Sequence, residues 1–307
     1  MALTLYNVKK WYKMLTGSSV LHVNQDIGKC FSTDEVKGYY NNLTEKVRMQ
    51  PELLGNDSLP TIETTDGRKV IFPVAIFQYG LGAYDFFLQT GDGIYKQKFL
   101  QCVEWTSKHQ EATGAWKNFS HIYPDNPYGA MAQGEATSLL VRAYTCTGQK
   151  QYLEQAKASI NFMLKPVGDG GTSLYQDDEL VLLEYTHKSA VMNGWIFAWF
   201  GLYDYELATV GQGGYHMAMQ QSLETLKKYL PRFSNSFWSM YDLDGHIASP
   251  FYHNLHIAQM LALYKMTGQE VFQQYARKWE ADSKAPLKKG KAFLIKAWQK
   301  IKEKKNA

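Results

Sequence analysis

The chain has 307 residues, of which 45% are hydrophobic and 20% are charged, so it can bury a core and is not expected to be disordered. Its formal net charge of +4 is unevenly distributed, because residues 284–307 hold nine Lys and one Glu and the preceding residues are acidic overall. This distribution argues against a nucleic-acid-binding body.

The cysteines and the apolar runs exclude several other classes of protein. Cys30, Cys102 and Cys146 are far apart and form no CxxC pattern, which predicts neither a disulfide framework nor a structural zinc site. No signal peptide or transmembrane span is indicated, so we expect a soluble, cytoplasmic protein. No phosphate-cradling, dinucleotide-binding or GxSxG motif occurs, and no cofactor is expected.

Residues 1–60 are interpreted as an amino-terminal arm. Within it, the stretch FSTDEVKGYYNNLTEKVRM predicts a helix capped by Ser32 or Thr33. The Asp-Gly pair in TIETTDGRKVIF, residues 61–72, predicts a β-hairpin.

Residues 61–283 contain a helical-hairpin pattern that occurs four times. In each copy an apolar helix pattern ends at a glycine suited to a left-handed cap, and a second amphipathic helix follows; these glycines are Gly91, Gly148, Gly211 and Gly268. Segments 114–120, 172–185 and 236–253 follow the hairpins and predict short strands and loops. The expected fold is mainly α, an (α/α) barrel or toroid with short β-hairpins at one mouth of an axial pocket.

Residues 284–307 form a basic amphipathic tail. Apolar side chains alternate with its lysines, namely Leu287, Phe293, Leu294, Ile295, Trp298 and Ile301. We interpret the tail as a terminal helix that packs on the body and leaves its lysines in solvent. A helix that lies on a membrane surface is the alternative.

Three polar clusters could carry chemistry. The first contains Tyr252, His253 and His256 at the start of an apolar helix pattern, where two histidines share a helix face. No further ligand stands at a recognised spacing, so a metal site is not predicted. Packed histidines, or an anion site at the helix amino terminus, are the remaining readings. The other clusters are LLEYTHKSAVMNGW, residues 182–195, and FWSMYDLDGH, residues 237–246.

Five segments carry a resemblance to a known family. In chain order they are FPVAIFQYGLGAY (72–84), YGAMAQGEATSLLVRAY (128–144), LEYTHKSAVMNGWIFAWFGLYDYE (183–206), MYDLDGH (240–246) and YHNLHIAQMLALY (252–264). Together they resemble the carboxy-terminal catalytic domain of the D-glucuronyl C5-epimerases, and the chain is expected to be a compact microbial relative.

The resemblance implies an activity and a set of site residues. The activity is inversion of D-glucuronate to L-iduronate within an acidic, heparosan-like polysaccharide. The family's catalytic Glu-Tyr pair falls on Glu184 and Tyr185, and its other tyrosines fall on Tyr241 and Tyr252. The candidate substrate-binding residues are His253, Lys188, His187, Gln78, Tyr79, Gln133, Trp116 and Asn193. A homodimer is a further expectation, because the animal enzymes are dimeric.

One position departs from the family pattern. Vertebrate members have an arginine directly after the Tyr-Asp-Leu motif, where this chain has Asp244, so the cation for a uronate carboxylate must come from elsewhere. Lys188, His187 and His253 are the candidates. We predict that Tyr185 and Tyr241 act on opposite faces of the sugar ring with help from Glu184, while Tyr252 and His253 hold the carboxylate. A uronate lyase and a non-catalytic glycan-binding module are the alternatives.

Overall fold

The computed structural model describes residues 22–64 and 66–303, and their secondary structure is mainly helical. The first elements are helix α1 (Thr44–Arg48), strands β1 (Thr61–Glu63) and β2 (Lys69–Ile71), and helices α2 (Pro73–Thr90), α3 (Gly93–Lys108), α4 (Ala130–Thr147) and α5 (Lys150–Leu164). They are followed by β3 (Ser173–Gln176), β4 (Glu179–Leu182), α6 (Met192–Ala208), α7 (His216–Tyr229), α8 (Pro250–Thr267), α9 (Glu270–Lys284) and α10 (Pro286–Glu303).

The four predicted helical hairpins are present as α2/α3, α4/α5, α6/α7 and α8/α9. Gly91, Gly148 and Gly268 cap the first helix of three hairpins in the left-handed conformation, with φ of 72°, 72° and 67°. Helix α6 ends differently, because Val210 is inserted before Gly211 and both residues have positive φ. The predicted glycine cap is therefore displaced from the end of that helix.

The first helices of the hairpins form an inner row in which each packs on the next, from α2 through α4 and α6 to α8. Helices α4 and α6 are in close contact where Gly134 faces Ala198 and Gly201. A Cβ on either glycine would overlap the backbone of the other helix, so only glycine fits at these two positions. Most residues of α2, α4 and α6 are buried. Closure of this row into a ring stays a prediction.

Two of the predicted β features are present. Strands β1 and β2 pair antiparallel around the Asp-Gly turn, and β3 pairs with β4 around Asp177, which has a φ of 50°. Segment 114–120 is a turn and loop, and segment 236–253 is held by isolated bridges such as that between Met240 and Ile247. The segments between hairpins are thus mostly loops.

The helix predicted from Ser32 or Thr33 onward forms only over α1 (Thr44–Arg48), and the chain before α1 is irregular. Tyr39 and Tyr40 insert into the core in this irregular conformation. Asp85 accepts a hydrogen bond from the Tyr39 N–H at 2.9 Å, and Asp204 accepts one from the Tyr40 hydroxyl at 2.6 Å. Tertiary hydrogen bonds therefore replace those of a helix. Residues 1–21 of the predicted arm lie outside the described residues.

The carboxy-terminal helix α10 packs against α9 and against the loop before α8. Its inner face buries Ala292, while Leu287, Leu294 and Trp298 on the outer face are exposed. The predicted terminal helix is thus present up to Glu303, and residues 304–307 lie outside the described residues. Among the helices described, none combines the length and hydropathy needed to cross a membrane.

Candidate active site

Two loops far apart in the sequence meet at the amino-terminal ends of α6 and α8. The first loop, residues 183–191, leads from β4 into α6, and the second, residues 239–249, leads into α8. The Met192 N–H donates to the Tyr241 carbonyl at 3.2 Å, and the Leu243 N–H donates to the Ala190 carbonyl at 3.1 Å. These bonds bring together the four catalytic residues that the resemblance implies.

Three tyrosines form the centre of this cluster. The ring centroids of Tyr241 and Tyr252 lie 4.8 Å apart, and the Tyr241 side chain is close enough to Tyr185 and Tyr252 to affect the pKa of both. All three side chains are half-buried, so each keeps part of its surface open to solvent. The cluster therefore offers a bound molecule several neighbouring phenol groups.

Glu184 lies beneath the tyrosines with only 7% of its surface exposed. Gly194, in the first turn of α6, makes room for it, because a Cβ at that position would overlap the Glu184 carboxylate. Burial raises the pKa of Glu184 to about 7, although the neighbouring Tyr185 side chain and the charge of Lys188 oppose the shift. Its Oε2 atom has no hydrogen-bond partner within the described part of the chain. Glu184 can thus exchange a proton near neutral pH.

The tyrosines are poor acids in this setting. Burial raises the pKa of Tyr185, Tyr241 and Tyr252 above the ordinary value, and the charge of Glu184 raises each of them further. A tyrosine that is to act as a base here needs a neighbouring positive charge. The cations around the cluster therefore decide what it can do.

Lys188 supplies one such charge. Its ammonium lies 4.7 Å from the centroid of the Tyr185 ring and 4.3 Å from that of Tyr123, and it donates a 2.6 Å hydrogen bond to the Tyr123 hydroxyl. Phe119 stacks on Tyr185 with its ring centroid 4.6 Å away. His187 packs its ring edge-to-face on Tyr123 at 4.7 Å and is exposed. Lys188 and His187 thus lie beside the cluster, and their role in substrate binding stays a prediction.

His253 does not face the cluster as predicted. Its ring is 0% exposed and stacks on Trp238 at 3.6 Å. Its Nδ1 accepts from the Ser239 N–H at 3.2 Å, and its Nε2 lies 3.0 Å from the Trp279 carbonyl. Burial lowers the pKa of His253 to about 4, so the ring is neutral. The prediction that it holds a substrate carboxylate is therefore wrong, whereas His256 packs behind it as expected.

Three other candidate binding residues are also structural. The Tyr79 hydroxyl donates to the Gln50 carbonyl at 3.0 Å, away from the tyrosine cluster. The Trp116 indole N–H donates to the Thr106 carbonyl at 2.9 Å, and the Gln133 amide is bonded to the Trp116 backbone. All three side chains are buried, which leaves them no surface for a ligand. Apolar helix patterns do not distinguish such residues from pocket residues.

Gln78 and Asn193 are also buried, and Gln78 is bonded to a buried acid that the sequence interpretation did not identify. The Gln78 amide donates at 2.7 Å to Glu135, a carboxyl on α4 that is 0% exposed. Burial raises the pKa of Glu135 to about 8, and the charge of Glu184 contributes to the shift. Asn193 follows the first residue of α6 and has a buried Oδ1 atom without a partner in the described residues. A lone acid within the apolar pattern of α4 is the sequence signal for Glu135.

Asp244, the departure from the family pattern, is exposed at the tip of the second loop. Its N–H donates to Asp242 at 3.1 Å, and the same carboxylate accepts from the His246 N–H at 3.0 Å. A 2.7 Å contact between the His246 ring and Asp242 completes this turn. Asp242 therefore fixes the loop that carries Tyr241.

Other parts of the surface are weaker candidates for an active site. Open grooves of about 470 Å³ beside α3 and about 660 Å³ beside residues 28–37 contain no group of buried titratable side chains. In the described residues, no three His, Cys, Asp or Glu side chains are grouped closely enough to hold a metal ion. The tyrosine cluster is the better candidate, because perturbed titratable groups converge there.

Comparison with known proteins assigns the family. Residues 111–281 match the family model described as D-glucuronyl C5-epimerase C-terminus. The chain belongs to this family. The matched region contains both loops of the tyrosine cluster and ends before α10.

Two relatives show how far the similarity extends. The chain is 32% identical to an uncharacterized protein of Methanocaldococcus jannaschii over 157 residues, which are 49% of this chain and 51% of that protein. It is 24% identical to the D-glucuronyl C5-epimerase of Caenorhabditis elegans over 213 residues, which are 60% of this chain and 35% of that enzyme. The matches thus span about half the length of the first relative and about a third of the second.

Proposed function

We propose that the chain is a C5-epimerase that converts D-glucuronate residues of an acidic polysaccharide into L-iduronate. Its family membership supports an epimerase. The observation that carries the proposal is the convergence of Glu184 with the hydroxyls of Tyr185, Tyr241 and Tyr252. In this proposal the four hairpins form an (α/α) barrel, and the polysaccharide binds in a cleft at the mouth that carries both loops.

The reaction requires one proton to leave C5 and another to arrive on the opposite face of the ring. Two groups must therefore flank the sugar, one as base and one as acid. We assign these roles to Tyr185 and Tyr241, which lie on different loops and are close enough to affect each other's pKa. The phenolate that removes the C5 proton becomes a phenol, and the phenol that protonates the opposite face becomes a phenolate. Proton exchange with solvent after product release restores the starting state.

Glu184 and Lys188 adjust the charges of this pair. Glu184 lies beside Tyr185 and, with a pKa of about 7, can take up the Tyr185 proton and leave a phenolate. The Lys188 ammonium over the Tyr185 ring favours that phenolate. The intermediate carries extra negative charge on the substrate carboxylate, and in this proposal Lys188 and the Tyr252 hydroxyl stabilise that charge. Heparosan is the proposed substrate polymer.

Deuterium exchange tests the proposal. In D₂O the protein should introduce deuterium at C5 of glucuronate residues, measured by NMR on heparosan and on other glucuronate polymers. Exposed Tyr175 on β3 provides the matched control, because Tyr175→Phe should leave the exchange rate unchanged whereas Tyr185→Phe should lower it by about 10²- to 10⁴-fold.

Other outcomes would replace the proposal with one of its alternatives. Appearance of ultraviolet absorbance from an unsaturated product would identify a lyase, which also removes the C5 proton. Binding of the polymer without deuterium uptake would identify a glycan-binding module. Absence of exchange with every polymer would contradict the proposed epimerase activity.

A further inference from the structure

Helix α10 is attached directly to the loop that carries Tyr241. Its residue Ala292 packs in a small apolar cluster with Trp238 and Ile247. The Gln299 side chain accepts from the Ile247 N–H at 3.1 Å and donates to the Gly245 carbonyl at 2.9 Å. These contacts hold the strand-like segment that pairs with Met240, next to Tyr241. The position of Tyr241 thus depends on a helix beyond the family match.

The same helix brings a buried ammonium group to Tyr241. Lys296 is only 9% exposed, and its Nζ lies over the Tyr241 ring, 5.5 Å from the centroid. Nζ also donates a 2.7 Å hydrogen bond to the Ile247 carbonyl, which fixes its position. Because the group is largely removed from water, its charge acts on Tyr241 with little screening by salt.

Other groups around Tyr241 act against its ionisation. Burial, the negative charge of Glu184 and the neighbouring phenols of Tyr185 and Tyr252 all raise the pKa of Tyr241. The carboxylate of Asp242 lies next in the chain and is held by His246. A tyrosine that takes part in proton transfer in such surroundings requires a compensating cation. Lys296 lies where that cation is needed.

We propose that α10 is a functional part of the site, in which the Lys296 ammonium stabilises the phenolate form of Tyr241. Lys296 is a positioning and charge-tuning residue that acts through Tyr241. This inference rests on the proposed function for its role in catalysis. It gives each of the two acid–base tyrosines its own lysine, because Lys188 lies over Tyr185 as Lys296 lies over Tyr241.

The titration of Tyr241 tests this inference without reference to activity. In the full chain, 3,5-difluorotyrosine is introduced at position 241, where its fluorine NMR shift reports ionisation at moderate pH. Lys296→Gln should raise the pKa of this residue by about one unit, since a desolvated ammonium over an aromatic ring has an effect of that size. Lys296→Arg should restore the original value. Lys291→Gln is the matched control, because Lys291 is exposed on the same helix and should leave the pKa unchanged.

Lys296→Met, whose straight side chain fills a similar space, repeats the test if the glutamine variant does not fold. An unchanged pKa in Lys296→Gln or Lys296→Met would overturn the inference, and so would an equal shift in Lys291→Gln. If the wild-type protein exchanges deuterium, its pH–rate profile should contain a limb that belongs to Tyr241. In Lys296→Gln the pKa of this limb should rise by the same amount. If no polymer shows exchange, the proposed function fails, but the fluorine titration still decides whether Lys296 and Tyr241 are coupled.

Discussion

The tyrosines of the two loops, Tyr185 and Tyr241, are each accompanied by a lysine, but in opposite surroundings. Tyr185 stacks on Phe119 at 4.6 Å and is accompanied by Lys188, which is exposed. Tyr241 lies beneath α10 and is accompanied by Lys296, which is only 9% exposed and hydrogen-bonded to the Ile247 carbonyl. Solvent and salt therefore screen the charge beside Tyr185 far more than the charge beside Tyr241.

This difference separates two tasks within one site. A buried, hydrogen-bonded ammonium has a fixed position and keeps the charge around Tyr241 constant, which favours preorganisation. An exposed lysine on a loop can move, so Lys188 is able to leave the Tyr123 hydroxyl and pair with a substrate carboxylate. In the proposed reaction the first loop would adapt to the polymer, while the second would hold its tyrosine in place.

The largest effect is expected from removing either tyrosine hydroxyl. Tyr185→Phe and Tyr241→Phe should each lower deuterium exchange at C5 by about 10²- to 10⁴-fold, because each hydroxyl transfers a proton on its own side of the ring. The double variant should be only slightly worse than either single one, because the two groups act as a unit. NMR measurement of C5 deuteration on all three variants tests this. Normal exchange in either single variant would break the assignment of the two loops to opposite faces.

A glycine variant tests how closely the first loop is packed. Gly194→Ala should lower exchange by about 100-fold, because the new Cβ would displace the Glu184 carboxylate and a shift of about 1 Å at a reacting group has this cost. Gly93→Ala is the control, since Gly93 also lies in the first turn of a helix and a Cβ there would meet no atom within 4 Å. Exchange rates and circular dichroism are measured for both. Equal rates in the two variants would show that the position of Glu184 is unimportant.

The sequence predicted the helical hairpins well because each depends on local signals. The glycine caps at Gly91, Gly148 and Gly268 and the Asp-Gly turn are properties of a few adjacent residues. The irregular segment around Tyr39 and Tyr40 was predicted as a helix because the carboxylates that bind it, Asp85 and Asp204, come much later in the chain. No local pattern contains that information.

The same reasoning explains the outcome for the site. Glu184, Tyr185, Tyr241 and Tyr252 were found through the family resemblance, which selects residues by motif. The motif could not show that His253 is stacked on Trp238, because burial depends on the packing of distant segments. Lys296 was not identified because it lies in a lysine-rich tail where its neighbours in the sequence are exposed. Only the packing of α10 on the second loop distinguishes it.

The pH dependence of the exchange rate tests the role of Glu184 on the first loop. Since burial raises the pKa of Glu184 to about 7, the exchange rate should rise as the pH increases through about 7, where Glu184 becomes able to accept the Tyr185 proton. Glu184→Gln should remove this limb from the pH–rate profile. If a limb near pH 7 persists in this variant, another titrating group is responsible for it.

Protein stability gives an independent test of the same group. The folded protein keeps Glu184 protonated up to about pH 7, whereas the unfolded chain releases that proton near the ordinary value of 4.5. The raised pKa therefore makes the free energy of unfolding decrease as the pH rises between these values. Glu184→Gln should reduce this slope, measured as Tm against pH.

The smallest effect is expected from the exposed lysine, and salt should distinguish it from its buried counterpart. Lys188→Gln should lower exchange by roughly 3- to 10-fold at low ionic strength, because it removes a solvent-exposed charge of modest strength. Salt at about 0.5 M should reduce the difference from wild type, whereas the effect of Lys296→Gln should persist, since Lys296 is buried. Rates for the wild type and both variants are measured over a series of salt concentrations on a short oligosaccharide, which limits the salt dependence of polymer binding. Equal salt dependence in the two variants would mean that the two lysines act from similar surroundings.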